Sequence, residues 1–455
     1  MAIELGRSTE IYAELERPNS GGRLRQFEKY SDRVFSVPKL LNGVTDGRRD
    51  PVIPTFNVVN ALFHAALLRI PSINALEGDL GEADFQKLLG QRPRQNVKLF
   101  SAEVITNVLD RLDLSGTRKV VVSVLKKAER NKVFREGWHG ALRFVAIDGW
   151  EPFCSYYRHC SHCLTRKVVV KRESGEKEEV TQYYHRYVVA MLIDGQMDMT
   201  LDLEPVKTAD LRDGPMKGEQ HEGELTAAKR LIRRVKRTYP WVDVVVGDAL
   251  YANGPFLTLV KELKLGAVLI AKKESDEPLK EALSIWGNTQ PYKVIYDDAS
   301  RENIELWDVK GIETLESYKG KIRVVRGRVK KSTRKKPSTW CMIVTGAANK
   351  LSASHVLAVA RGRWHIENTG FNQWVSYWNL SHVFRHNANA LMGILLIWML
   401  VFNLLQLFIY RRLKRPRRPK DPTNTIRHII EVMQRDVATL QSPIPWIDLL
   451  NLDTG

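Results

Sequence analysis

The spacing of apolar residues separates helical stretches from β-rich ones along the chain. Over 55–137 apolar positions recur every three or four residues, as in NVVNALFHAALLRI, and predict a small all-helical domain. Ser72 restarts a helix through INALEGDL after Pro71, and Ser101 opens another through AEVITNVLDRL, each serine offering an N-cap. At 143 the period changes. RFVAID is a short strand ending in Asp148, followed by an irregular cysteine-rich and basic stretch over 151–180. YYHRYVVAMLID (183–194) and DMTLDLEPV (198–206) read as strands joined by a turn at Gly195. Residues 219–238 read as a helix with a basic second half. VDVVVGDAL is a buried strand carrying Asp248 at its end, and Pro255 opens a helix ahead of the strand GAVLIAKK. This order of strand, hairpin, helix, strand, helix and strand describes an α/β core, a mixed sheet with flanking helices.

YKVIYD, NIELWDV, KIRVVRGRV and TWCMIVTG make 285–346 a β-rich insertion, and the chain from 352 is helical to near its end. The expected plan is a polar N-terminal arm (1–54), a helical N-terminal domain (55–140) with a DNA-binding role open to it, and a core in two parts. Those parts are 141–284, which includes the cysteine-rich 151–180, and 347–410; they flank the 285–346 insertion, and a basic C-terminal tail (411–455) follows. LMGILLIWMLVFNLLQLFI (391–409) is long and apolar enough to suggest a membrane span. Asn403 and Gln406 within it favour a buried helix, so no membrane partner is expected. The N-terminus has acidic residues and no apolar h-region, so it is not read as a signal peptide and a cytoplasmic location is expected.

Charge changes the picture further. Lysine and arginine number 70 against 52 acidic residues in 455, giving +18, and such an excess favours a polyanionic partner. Lys319–Lys336 holds ten basic residues and no acid, and 411–420 holds seven, both suited to gripping a phosphate backbone. Within this basic chain the carboxylates at strand ends stand out. Phosphodiester cleavage needs two divalent cations roughly 3.5–4 Å apart, held by converging hard oxygen ligands. Asp148 and Asp248 end two core strands, and Glu367 lies in RGRWHIENTGFNQW, which suits a helix laid on the sheet. Arg363 is one turn before Glu367 and shares its face, where a guanidinium can pair with a phosphate or make a surface salt bridge. Asp194, Asp198, Asp202 and Glu224 are competing carboxylates, Glu224 being the favoured spare ligand.

VAIDGWE, VVGDALYANGPF and RGRWHIENTGFNQW resemble the three acidic motifs of insertion-sequence DDE transposases. The resemblance runs over about 50–410 and is closest to a subgroup with a β-rich insertion and a Tyr-x2-Arg-x3-Glu-x6-Lys third motif. Arg363 and Glu367 take the arginine and glutamate places, Trp364 and Ile366 match the flanks, and Ala360 and Trp374 replace the tyrosine and lysine. The resemblance implies an RNase H-like mixed-sheet core with a helical tail and two Mg²⁺ or Mn²⁺ ions, Asp148 bridging them, Asp248 binding one and Glu367 the other. It also implies cut-and-paste transposition by a homodimer on double-stranded DNA, the element's terminal inverted repeats and the target. A nuclease without strand transfer and a domesticated, non-catalytic DNA-binding protein are the alternatives. The departures at Ala360 and Trp374 imply different handling of the DNA end, with Trp374 either stacking a base or filling the core.

The second constellation is Cys154-x5-Cys160-x2-Cys163, with His185 on the next strand. A Cys-x2-Cys knuckle is half of a tetrahedral zinc site, so Cys154, Cys160, Cys163 and His185 are candidate ligands of one structural Zn²⁺. Three free thiols in a reducing compartment are the alternative.

Overall fold

A computed structural model of the chain describes residues 22–94, 97–135, 142–172, 175–193, 197–211, 221–271, 277–287, 289–298, 300–333, 336–413 and 425–440. They divide into two compact units. One is drawn from Met1–Asn131, Arg158–Ser161 and Gln373–Gly455, the other from Lys132–Tyr157 and His162–Asn372.

The second unit holds the sheet and is mixed α/β. Its strands are β1 (Phe144–Trp150), β2 (Cys154–Ser155), β3 (Leu164–Lys171), β4 (Lys177–Tyr184), β5 (Tyr187–Ile193) and β6 (Met199–Pro205), then β7 (Val244–Gly247), β8 (Gly266–Ala271), β9 (Lys293–Asp297), β10 (Glu302–Ile312), β11 (Ile322–Lys331) and β12 (Ser338–Thr345). Nine of them form one sheet in the order β6-β5-β1-β7-β8-β12-β11-β10-β9, and β2-β4-β3 form a small second sheet. β1 runs antiparallel to β5 and parallel to β7, and β8 runs parallel to β7. The central strands β5, β7 and β8 are buried at every position, as unbroken apolar runs such as VVV and AVLIA require when both faces of a sheet are covered. The Glu224–Thr238 helix packs on β5 and β6 through Ala227, Ala228, Leu231, Ile232 and Val235, a stripe with helical period.

Two expectations change here. The run 183–194 is not one strand: it breaks after Tyr184, with β4 in the small sheet and β5 in the large one. The 285–346 strands do not form a separate subdomain but extend the core sheet, because β12 pairs with β8 from Cys341–Ala271 to Thr345–Ala267. β8 has an open edge, and the alternating TWCMIVT supplies the backbone groups that satisfy it.

The other unit is helical. Ser72 and Ser101 cap as expected, their hydroxyls accepting from the Ala75 N–H at 3.1 Å and the Val104 N–H at 3.4 Å. The described part of the polar arm contains a helix. Arg23–Phe35 is a helix that buries Leu24, Phe27 and Phe35, spaced to lie on one face. The described part of the C-terminal tail is not simply basic. Ile426–Val437 is a helix burying Ile429, Ile430 and Met433, and the Asp436 carboxylate accepts from the Leu24 N–H at 2.9 Å. Most of the 411–420 basic run lies outside the described residues. The second core part expected over 347–410 is likewise divided, the segment from Gln373 belonging to the helical unit. There the Ala388–Leu407 helix packs against the Thr55–Leu68, Ala102–Arg111 and Leu114–Arg130 helices. It is long and apolar enough to cross a membrane, yet its apolar span is covered on all sides, Asn403 and Gln406 included. Apolar character all round a helix is what complete burial selects.

Candidate active site

β1 and β7 are neighbouring parallel strands with Ala146 opposite Val246, so the aspartates two residues further on leave the same end of the sheet side by side. Asp148 sits within the end of β1, where its Oδ1 accepts from the Gly149 N–H at 2.9 Å. Asp248 follows β7 directly, and its Oδ1 accepts from the Leu250 N–H at 2.9 Å, capping the short Ala249–Tyr251 turn. The ordinary use of an aspartate at a strand end is therefore present, but it occupies one carboxylate oxygen.

Glu367 comes from the Ala353–Gly362 helix and its continuation, which widens to a π-helix over Ile366–Phe371. Such widening inserts an extra residue per turn and re-aims side chains, a device common at functional sites. Phe371 stacks on Trp150 at 5.7 Å, and Gly370 lies so near β5 that a Cβ there would come within 2.8 Å of Met191. These contacts hold the helix close against β1 and β5. Arg363 closes the group. Its Nη1 is 2.5 Å from Asp148 Oδ2 and 2.8 Å from Glu367 Oε1. Burial pushes the Asp148 carboxyl up to about 6, with Asp248 and Glu367 adding to the rise and Arg363 opposing it. One guanidinium thus pairs with two carboxylates while a third, Asp248, acts on Asp148, an excess of negative charge that a cation would relieve.

Glu224 lies beside this group without joining it freely. Tyr251 donates its hydroxyl to Glu224 Oε1 at 2.7 Å, and Arg186 is 3.7 Å from Oε2. A Cβ on residue 149 would lie 2.2 Å from Glu224 Oε2, so only glycine fits after Asp148 while Glu224 holds this position. The Tyr251 hydroxyl is held well above its ordinary range, by burial first and by Glu224 second. The expectations about the other carboxylates resolve separately. Asp198 Oδ2 is 2.9 Å from His365 Nδ1, Asp202 pairs with Arg234 at 2.5 Å, and Asp194 lies outside the described residues.

The donor set suits a hard divalent ion, since Asp148, Asp248 and Glu367 offer only carboxylate oxygens and a positive group already sits among them. Residues 216–404 match the family model described as Transposase DDE domain. The match supports a DDE transposase and transposase-type DNA cleavage in general, a chemistry that uses divalent metal ions and a DNA substrate. No curated protein matches the chain. Asp248, Arg363, Glu367 and Glu224 lie inside the matched span and Asp148 precedes it, joined to it by the β1–β7 pairing.

The motif departures have structural counterparts. Ala360 is fully buried, and Trp374 is 3% exposed with its ring edge-on to Phe402 at 6.0 Å, which makes it a core residue of the helical unit and not a platform for a base. Trp364, by contrast, is 47% exposed. In the cysteine cluster Cys163 and His185 come together, Sγ to Nε2 at 3.3 Å, both buried. Cys154 is exposed on β2 opposite Tyr184, and Cys160 falls in the short segment Arg158–Ser161 of the helical unit. Sequence reasoning missed Tyr251, the partner of Glu224. Its only signal was a tyrosine three residues after Asp248 in GDALY.

Proposed function

We propose that this chain is a cut-and-paste DDE transposase with an RNase H-like core, in which Asp148, Asp248 and Glu367 are the catalytic carboxylates. The observation that carries the reading is the pair of aspartates at the same end of adjacent parallel strands, with Glu367 tied to Asp148 through Arg363. The run β6-β5-β1-β7-β8, three antiparallel strands followed by two parallel ones, supports the RNase H-like assignment. Asp148 would hold both of two Mg²⁺ or Mn²⁺ ions, Asp248 one and Glu367 the other. Bound there, the ions would supply Lewis-acid stabilisation of the attacking and leaving oxygens. Arg363 would turn from the carboxylates to a substrate phosphate, to which its planar fork is suited. Water attacks the phosphodiester at the element's end, and the freed 3′-OH attacks target DNA. The partners are the element's double-stranded terminal repeats and target DNA, engaged by a homodimer in the cytoplasm.

The test is a two-stage assay. Duplexes carrying the sequences that flank the coding region are offered first intact and then with the ends already cut, with plasmid as target. Cleavage and joining support transposition, whereas cleavage with no joining of pre-cut ends leaves a nuclease. DNA binding with neither reaction leaves a non-catalytic DNA-binding protein.

A structural Zn²⁺ held by Cys163 and His185 of the α/β unit, with Cys154 of the same unit, belongs to the same proposal. About one zinc per chain should be found in protein purified without chelators, and Cys163→Ser should release it. Zinc-free protein of full stability would remove this part.

A further inference from the structure

We infer that Arg326 is a DNA-phosphate ligand in the cleft beside Asp248, a positioning residue for the strand being cut. The inference rests on the DNA-cleaving reading above. A cleft of about 450 Å³ opens next to the carboxylates, lined among others by Asp248, Arg363, Trp364, Trp340 and Arg326. Arg326 stands on β11 opposite Trp307 of β10 and Cys341 of β12. Its guanidinium lies 4.8 Å from the centre of the Trp307 ring, which fixes the fork by stacking.

What distinguishes Arg326 from its neighbours is that, among the described residues, it has no ion pair. Arg323 pairs with Asp308 at 2.7 Å, Arg328 with Glu305 at 3.4 Å and Arg361 with Glu302 at 2.7 Å. Arg363 is taken up by Asp148 and Glu367. Among the described residues no carboxylate forms an ion pair with Arg326, and its Nε is buried without a hydrogen-bond partner. A half-buried guanidinium is costly to keep unpaired, so a strand that seats one this way beside an acidic site is prepared for an anion from outside. The planar fork matches the geometry of a phosphate. Arg328, paired with Glu305, and Lys330 follow at alternate positions of β11, hence on the same face.

The test uses the full chain and a fluorescent duplex oligonucleotide in calcium buffer, with affinity followed over a salt series. Arg326→Gln and Arg326→Met both remove the charge, and the second keeps an aliphatic stem over Trp307, so a folded uncharged variant is obtained if either survives. Melting curves establish which is folded. Affinity should fall roughly tenfold or more, as for loss of one charge-assisted bond. The slope of log K against log salt should drop by about 0.9, the signature of one lost phosphate contact. Arg326→Lys should keep the slope. A folded uncharged variant that binds with the parent's affinity and slope overturns the inference while the parent still cuts DNA. If the parent itself neither binds the duplex with salt dependence nor cuts it, the reading beneath falls too.

Discussion

Two acidic clusters lie in the same α/β unit and behave differently. On the Glu224–Thr238 helix, Arg230 and Arg234 reach β6, where Arg234 pairs with Asp202 and Glu204 at 2.5 Å and Arg230 pairs with Glu204 at 2.7 Å and with Glu222. Burial works against the charge of Arg234, yet Asp202 and Glu204 hold it above its ordinary range. At the ends of β1 and β7 the shortage of positive charge is greater, two arginines for three carboxylates giving way to one Arg363 among Asp148, Asp248 and Glu367, with the Asp148 carboxyl raised to about 6. The first cluster is close to neutral by itself. The second is not, and a fold keeps such a surplus where something else is to be bound.

Substitutions should separate the two clusters most sharply through activity. Asp148→Asn, Asp248→Asn and Glu367→Gln each keep size and shape but remove one negative ligand, and should abolish Mg²⁺- or Mn²⁺-dependent plasmid cleavage while DNA binding survives on the basic surfaces. Parent-like cutting by all three would end the proposed mechanism. Arg234→Ala should do the opposite. It leaves Asp202 without its arginine and Glu204 with Arg230 alone, and should cost about 3 kcal/mol in chemical denaturation, with cleavage per folded molecule unchanged. If Arg234→Ala melts like the parent, the first cluster is not the structural one described here.

The raised Asp148 predicts a pH dependence with a definite sign. Its ordinary value is 3.8 and its value in the fold about 6, so between these limits the folded protein holds a proton that the unfolded chain has lost. Metal binding must displace that proton. Affinity for Mn²⁺ should be flat above pH 6 and fall about tenfold per unit below it, with proton release seen by calorimetry in buffers of different ionisation enthalpy. Constant affinity from pH 5 to 8 would mean that Asp148 is not a ligand. The smallest effect concerns Glu224. Tyr251→Phe removes the bond that holds it and should cost about 1 kcal/mol of stability with cleavage lowered less than tenfold. A variant as inactive as Asp148→Asn would promote Glu224 from support to ligand.

Much of the site was legible because strand ends announce themselves. RFVAID and VVVGDAL are apolar runs that stop at an aspartate, and one turn of helix relates Arg363 to Glu367. The serine caps at 72 and 101 were readable for the same reason, since each depends on neighbours within a few residues, and Asn403 and Gln406 in the apolar run 391–409 pointed to its burial. The Arg23–Phe35 helix in the polar arm was not legible because Leu24, Phe27 and Phe35 are sparse among charges, and only the surrounding helices show that this one face is buried.

What the sequence by itself determined was the period of each element, the placing of Asp148 and Asp248 at strand ends, and a charge balance suited to a polyanion. Only the tertiary structure decided that β12 joins β8 and makes the 285–346 strands part of one sheet, and that helices from both ends of the chain form one unit. It also decided which guanidinium meets which carboxylate: Arg234 against Asp202, Arg363 against Asp148, and Arg326 against an aromatic ring. The reason is range. Periodicity and capping are fixed within a turn or a strand, whereas sheet edges and ion pairs depend on side chains far apart in sequence.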